Sequence, residues 1–290
     1  MMDWSSFSIG NAAGFIKGPG TAFDEALRSA ATDITIGSIT MSPREGNSGN
    51  VYHLMHDGTS VNALGLPNPG IKAIQAVAEN MSERAGAVGK TPRWSIAGFS
   101  VDDYVALAEA LFEYGRLELN LGCPNVWGDS GQKPIASFDI ALMSAIVSAV
   151  SRRLPDLYFD IKVSPYSDPS MVQRVADLVR NSRVYSIVTC NTYPNGMAHN
   201  GKRRELDTPG GYGGVGGNAL FPIALGQVAQ FVSALEGTGI HVIGVGGIDS
   251  GERTHAMHDV GASGIQIGTA YGERGARVFS NIFTELSLIP

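Results

Sequence analysis

Short runs of β-branched and apolar residues recur along the chain, at Phe7–Ile9, Ile34–Thr40, Trp94–Ala97, Leu117–Leu121, Tyr158–Val163, Tyr185–Thr189, His241–Val245 and Gly264–Ile267. Each is short enough to read as a strand buried on both faces. Between most of them apolar residues fall at three- and four-residue spacing, which predicts helices over Val101–Tyr114, Asp139–Arg153, Pro169–Arg180, Pro222–Leu235, Arg253–Val260 and Arg274–Leu286. Strand then helix, repeated, implies parallel strands joined by helical crossovers. Eight such strands in 290 residues favour a closed (β/α)8 TIM barrel over an open doubly wound sheet. No linker or composition break divides the chain, so residues 1–290 read as one domain. Two connections are long. Met41–Arg93 carries REGNSGN and LGLPNPG, and Asn191–Phe221 carries PGGYGGVGG. Both leave strands in the sense that places them at the C-terminal mouth of a barrel, where active sites are built.

Composition narrows the function. A net charge of -6 supplies no general attraction to phosphate backbones or anionic membranes, so nucleic acid and membrane are not expected partners. Two cysteines, Cys123 and Cys190, allow one bridge at most and suit a reducing compartment. The N-terminus has no basic region followed by an apolar core, and Ile140–Val150 is too short to cross a bilayer, so a cytoplasmic protein is expected. The six histidines show no metal-ligand spacing, and His255 and His258 are expected to face solvent.

Four constellations carry chemistry. Ile243-Gly-Val-Gly-Gly-Ile-Asp-Ser-Gly251 and Ile265-Gln-Ile-Gly-Thr269 end adjacent strands in glycine, which lets backbone N–H groups close on a phosphate-bearing cofactor. Leu117-Glu-Leu-Asn-Leu-Gly-Cys-Pro-Asn125 brings Asn120, Cys123 and Asn125 to the barrel mouth, where a tuned thiol can act as a base or acid. Asp160-Ile-Lys-Val-Ser-Pro-Tyr166 puts Lys162 inside the barrel, a costly place unless an anionic or electron-rich partner receives it. Cys190-Asn-Thr192 adds an amide and a hydroxyl, and Asn62 belongs with Asn120 and Asn125 in a pocket suited to a ligand rich in amide and carboxylate groups, such as a pyrimidine.

Together with Asn11–Gly14, Ser38–Asn47, Asn62–Asn68, Ser95–Gly98, Gly211–Gly217 and Gly261–Thr269, these segments follow the order seen in dihydroorotate dehydrogenases, and the chain resembles the soluble class 1A branch of that family. Cysteine in Gly122-Cys-Pro-Asn125 points to class 1, and Ser164-Pro-Tyr166 and Gly211–Gly217 point to 1A. The resemblance implies an FMN-containing homodimer that oxidises dihydroorotate to orotate and is reoxidised by fumarate. It makes Cys123 the base for the substrate C5 proton while hydride leaves C6 for flavin N5, and it places Lys162 near flavin N1. Asn62, Leu64, Gly65, Leu66, Asn120, Asn125, Asn191 and Thr192 would hold the substrate. Ala12, Ala13, Gly14, Ser38, Asn120, Lys162, Gly217, Gly246, Gly247, Gly268 and Thr269 would line the flavin and its phosphate. Gly122–Phe138 is expected to be a lid.

One departure stands out. Where the family has a Thr-Lys-Ser run, this chain has Ile36-Gly-Ser38, and Lys17 is the nearest candidate to replace the missing cation. Gly122, in place of the usual Ser, is expected to loosen the segment carrying Cys123. Two alternatives follow: an FMN-binding paralogue with another dihydropyrimidine-like substrate or weak activity, and a tRNA dihydrouridine synthase, which the acidic balance and the lack of an RNA-binding domain disfavour.

Overall fold

The structure is a computed structural model that describes residues 4, 6–128 and 131–288. Eight parallel strands close into a barrel: β1 Ser8–Asn11, β2 Asp33–Ile39, β3 Thr91–Ile96, β4 Arg116–Asn120, β5 Phe159–Val163, β6 Val184–Thr189, β7 His241–Val245 and β8 Gly264–Ile267. Every predicted run overlaps one of them. The helices are α1 Thr21–Arg28, α2 Ile71–Gly86, α3 Val101–Leu111, α4 Ile140–Arg153, α5 Pro169–Val179, α6 Phe221–Ala234, α7 Gly251–Asp259, α8 Thr269–Arg274 and α9 Arg277–Leu286. Local chemistry starts several of them. Ser100, Asp139 and Asp168 accept from the backbone N–H of Asp103, Leu142 and Ser170 at the first turns of α3, α4 and α5. In α5, Met171, Val172, Val175, Ala176 and Val179 then form the buried stripe.

Side-chain alternation gives the barrel two different faces. Ile34 and Ile36, Trp94 and Ile96, Leu117 and Leu119, and Ile161 and Val163 join the apolar layer shared with the helices. The residues between them, Arg93 and Ser95, Glu118 and Asn120, Asp160 and Lys162, are buried and polar, and they meet one another inside the barrel. At its base Arg93 pairs with Asp160 and Asp33, and Asp160 also accepts from Arg116 and Ser186. One layer up, Lys162 donates to Gln266 at 2.8 Å, and Gln266 donates to Glu118 at 2.6 Å. The top layer is the mouth.

The two long connections are not simple loops. Met41–Arg93 contains α2, whose Ile71, Ile74, Ala78, Met81 and Ala85 are buried at helical spacing. It also contains strands Tyr52–Leu54 and Thr59–Asn62, which pair antiparallel with each other, and Thr59–Asn62 pairs in turn with Gly213–Gly217 and, through it, Tyr193–Gly196 from the other long connection. This four-stranded sheet lies beside the C-terminal mouth. His255 and His258 do not face solvent freely: both are half-buried beside the Trp4 ring, and His255 Nδ1 lies 2.9 Å from Asp259. Burial of Trp4 and Phe7 against α7 is what covers them.

Candidate active site

Two contiguous cavities open at the barrel mouth. The larger, about 360 Å³, is walled by Ala12, Ala13 and Gly14 after β1, by Asn191 and Thr192 after β6, by Gly246 and Gly247 after β7, and by Gly268 and Thr269 after β8. Gly216, Gly217, Ser60, Asn62 and Leu64 of the antiparallel sheet and its following loop complete it, and Lys162 reaches it from β5. Its volume lies within the roughly 300–1,000 Å³ of small-molecule sites. The smaller, about 90 Å³, is lined by Cys123, Asn120, Asn125, Ser38, Lys17, Gly65 and Leu66, and shares Asn62, Asn191, Leu64, Ala13, Gly14 and Lys162 with the larger. All the residues expected from sequence therefore meet around one paired site.

An amide chain shapes the small compartment. Asn120 donates to Ser38 Oγ at 2.9 Å and accepts from Asn191 Nδ2 at 3.1 Å, while Asn125 donates to Asn62 Oδ1 at 3.2 Å. Ser38 Oγ in turn lies 2.8 Å from Ser95 Oγ. Asn47 holds the edge from outside, donating to the carbonyls of Ala63 and Asn125. Asn68 ties the Leu64–Leu66 turn to Thr40 by bonding the backbone N–H and the hydroxyl of Thr40 and the Leu66 carbonyl. Sequence reasoning passed over Asn47, Ser95 and Asn68, because each touches backbone or a second side chain rather than the cavity.

The charges are held by their surroundings. Burial pushes the Lys162 ammonium down, and Glu118, 3.9 Å away, pulls it back. Burial pushes the Cys123 thiol up, and the Asn125 backbone N–H, Lys17 and Arg44 pull it down. Cys190 is buried, and desolvation pushes its thiol up to about 12. Lys17 Nζ donates to the Gly37 carbonyl at 3.0 Å, an oxygen that also accepts from Gly14 N–H at 2.7 Å. Gly37 has φ +119, and a Cβ there would lie 2.3 Å from the Ser95 carbonyl oxygen, so this backbone excludes a side chain at the position where the resemblance implied a lysine.

Gly122 corrects an expectation. It does not loosen the loop, because a Cβ at 122 would lie 2.8 Å from Ser164 N, and the strand-end backbones pack directly together. Leu121 N–H donates to the Lys162 carbonyl at 2.9 Å and Ser164 Oγ to the Gly122 carbonyl at 3.3 Å. Beyond it, Trp127–Gly128 pairs antiparallel with Gly131–Gln132, and Asp129 and Ser130 of the expected lid lie outside the described residues.

The larger cavity presents open backbone and an unpartnered hydroxyl to a ligand. Around the ideal Cβ position of Gly14 no atom lies within 4 Å, and at Gly268 only Ala12 Cβ does, at 3.9 Å, so backbone faces open space at both ends of the wall. Thr192 Oγ1 is buried in that wall with no hydrogen-bond partner among the described residues. Arg253 donates to the Gly247 carbonyl at 2.6 Å, fixing the glycine turn from behind.

The family profile described as dihydroorotate dehydrogenase matches residues 6–289. The chain belongs to the dihydroorotate dehydrogenase family. A "Dihydroorotate dehydrogenase (fumarate)" from Trypanosoma cruzi is 33% identical over 258 residues, 86% of this chain and 78% of that one. Another of the same name from Kluyveromyces lactis is 30% identical over 281 residues, covering 95% and 87%. The crystal structure of a dihydroorotate dehydrogenase in complex with ferulenol from Eimeria tenella shares the fold, with a TM-score of 0.80 at 18% identity over 96% of this chain and 80% of that one. Membership of the dihydroorotate dehydrogenase family sets aside the dihydrouridine synthase alternative. The relatives carry the fumarate-type name, in agreement with the class 1A resemblance. Among the described residues no helix is long and apolar enough to cross a membrane.

Proposed function

We propose that this chain is an FMN-dependent enzyme that oxidises (S)-dihydroorotate to orotate, with fumarate as the second substrate. The observation that carries the reading is the pairing of cavities: a large glycine-walled one and a small amide-lined one holding Cys123, with Lys162, Asn62 and Asn191 on their common wall. The relatives named for this activity support it.

Ala12–Gly14, Gly217, Gly246, Gly247, Gly268 and Thr269 are the residues that would hold FMN, with the glycine ends of β7 and β8 toward its phosphate. When bound, FMN supplies the hydride acceptor. The protein does the rest. Asn62, Asn120, Asn125 and Asn191 present amide donors and acceptors to the imide and carboxylate of a pyrimidine and fix its orientation. Cys123, as thiolate, takes the C5 proton and becomes a thiol. Lys162, backed by Gln266 and Glu118, places a cation where negative charge accumulates as hydride leaves the substrate. Leu64 and Leu66 exclude water from the small compartment. The same proposal includes a homodimer in the cytoplasm.

The test is direct. Purified protein is expected to be yellow, to bleach anaerobically on adding dihydroorotate, and to recover its colour with fumarate. Protein that binds FMN and stays yellow with dihydroorotate, but bleaches with another dihydropyrimidine, would transfer the assignment to the altered-substrate paralogue.

A further inference from the structure

Lys17 is a half-buried lysine that no salt bridge accompanies among the described residues. Its backbone is pinned: Ile16 bridges Ile36, Gly37 N–H donates to the Ile16 carbonyl at 2.8 Å, and Gly14 N–H donates back to Gly37. The side chain runs alongside the mouth end of β2 and ends on the Gly37 carbonyl, in the wall of the small compartment that also holds Cys123. An ammonium placed against a carbonyl oxygen is solvated by one dipole and needs a countercharge when water is excluded. Among the described residues lining the small compartment, the one side chain with an anionic form is Cys123, the thiolate that starts the reaction above.

We propose that Lys17 is the charge partner of Cys123, a positioning residue whose ammonium, fixed on the Gly37 carbonyl, stabilises the thiolate that accepts the substrate proton. The inference deepens the reading above and rests on it for the substrate. The proton count closes: the thiolate takes one proton from carbon and becomes a thiol, Lys17 stays an ammonium, and the thiol then releases that proton to solvent. A route outward exists on the far side of Cys123, where a cavity of about 210 Å³ lies among Phe99, Tyr104, Lys133 and Ile146. The electrostatics agree with the placement. Burial lowers the Lys17 ammonium to about 8 and raises the Cys123 thiol, and each group's charge opposes the other's shift. Such a pair titrates jointly. The other titratable or charged groups facing the sulfur are Arg44 after β2, Tyr104 on α3, Lys162 on β5 and Lys133 beyond β4; only Lys17 joins it in the small compartment from the β1 side.

Alkylation of Cys123 by iodoacetamide, followed by mass spectrometry across a pH series on the protein as isolated, reads the pair without turnover. Cys190, 1% exposed, is the unreactive internal control. Lys17→Met is expected to raise the midpoint of the alkylation profile by about one pH unit or more. Lys17→Gln, which keeps a donor for the Gly37 carbonyl and loses the charge, gives the same shift and guards against a folding defect in the first variant. A profile unmoved in either folded variant overturns the pairing. Flavin colour and bleaching are scored separately: protein that shows neither but has a shifted midpoint overturns the dihydroorotate reading alone, and protein that bleaches but has an unmoved midpoint overturns the pairing alone.

Discussion

Cys123 separates two cavities, and its neighbours pull its acidity in opposite directions. Desolvation favours the thiol, while the Asn125 N–H, Lys17 and Arg44 favour the thiolate. The same sulfur does not hold the amide chain together, since Asn120, Asn125, Asn62 and Asn191 bond to one another and to Ser38. Binding and proton transfer are therefore separable at this residue. Cys123→Ala is expected to retain FMN and orotate affinity, measured by spectral titration, and to slow flavin reduction by dihydroorotate by roughly 10²–10⁴-fold in anaerobic stopped flow. Near-normal reduction in that variant removes the cysteine from the chemistry. Gly37 shows the same economy at one position: with its carbonyl bonded to both Gly14 and Lys17, and no room for a Cβ, it serves as a backbone seat for the Lys17 ammonium.

Among the elements, the antiparallel sheet completes the wall of the large cavity that the barrel strand ends begin. Its edge strand Tyr52–Leu54 carries Tyr52, whose hydroxyl donates to Glu273 Oε1 of α8 at 2.8 Å, and both residues line that cavity. The contact fastens an insertion from the first half of the chain to the helix after β8, across the proposed FMN. Tyr52→Phe removes one hydrogen bond worth about 0.5–1.5 kcal/mol. FMN release, followed by recovery of free-flavin fluorescence, should accelerate roughly 2–10-fold, with no change in the Cys123 alkylation profile; an unchanged release rate rules the clasp out. This sheet is also the part of the fold least legible in the sequence. Gly213–Gly217 reads as a low-complexity run, because glycine is depleted in strands, yet it pairs with Thr59–Asn62 more than 150 residues earlier. The α2 stripe at Ile71, Ile74, Ala78, Met81 and Ala85 does carry the helical period, but it lies in a connection that REGNSGN and LGLPNPG mark as loop. By contrast, the eight barrel strands are β-branched or apolar runs whose burial is local and readable, and strand-end residues such as Asn120 and Lys162 inherit their positions from them. What no local pattern conveys is the cross-barrel pairing, such as Gln266 between Lys162 and Glu118.

At the scale of the whole molecule, the polar interior ties the barrel together below the site. Asp160 of β5 accepts from Arg93 Nε of β3 and Arg116 of β4, each at 3.0 Å, and from Ser186 of β6 at 2.6 Å, and Arg93 also meets Asp33 of β2 at 3.1 Å. Four consecutive strands thus share one ion-pair cluster, and β6 joins it through the Ser186 hydroxyl. Burial alone would lower the Arg93 guanidinium, but Asp160, Asp33 and Glu118 hold it above its ordinary value. Replacing the whole cluster by apolar residues of equal volume need not destabilise, but removing one charge leaves the others buried and uncompensated. Asp160→Asn keeps the volume and deletes the central charge, so it is expected to cost about 3–5 kcal/mol. The exposed pair Arg84–Asp24 supplies the contrast, and Asp24→Asn is expected to cost no more than about 1 kcal/mol. Urea unfolding of both variants checks the ranking: the Asp160 midpoint should fall far below wild type at unchanged m, and the Asp24 midpoint should barely move. If the two variants unfold together, the cluster is not what holds this end of the barrel closed, and the closure rests on the apolar layer of Trp94, Leu119 and Ile161 against the helices.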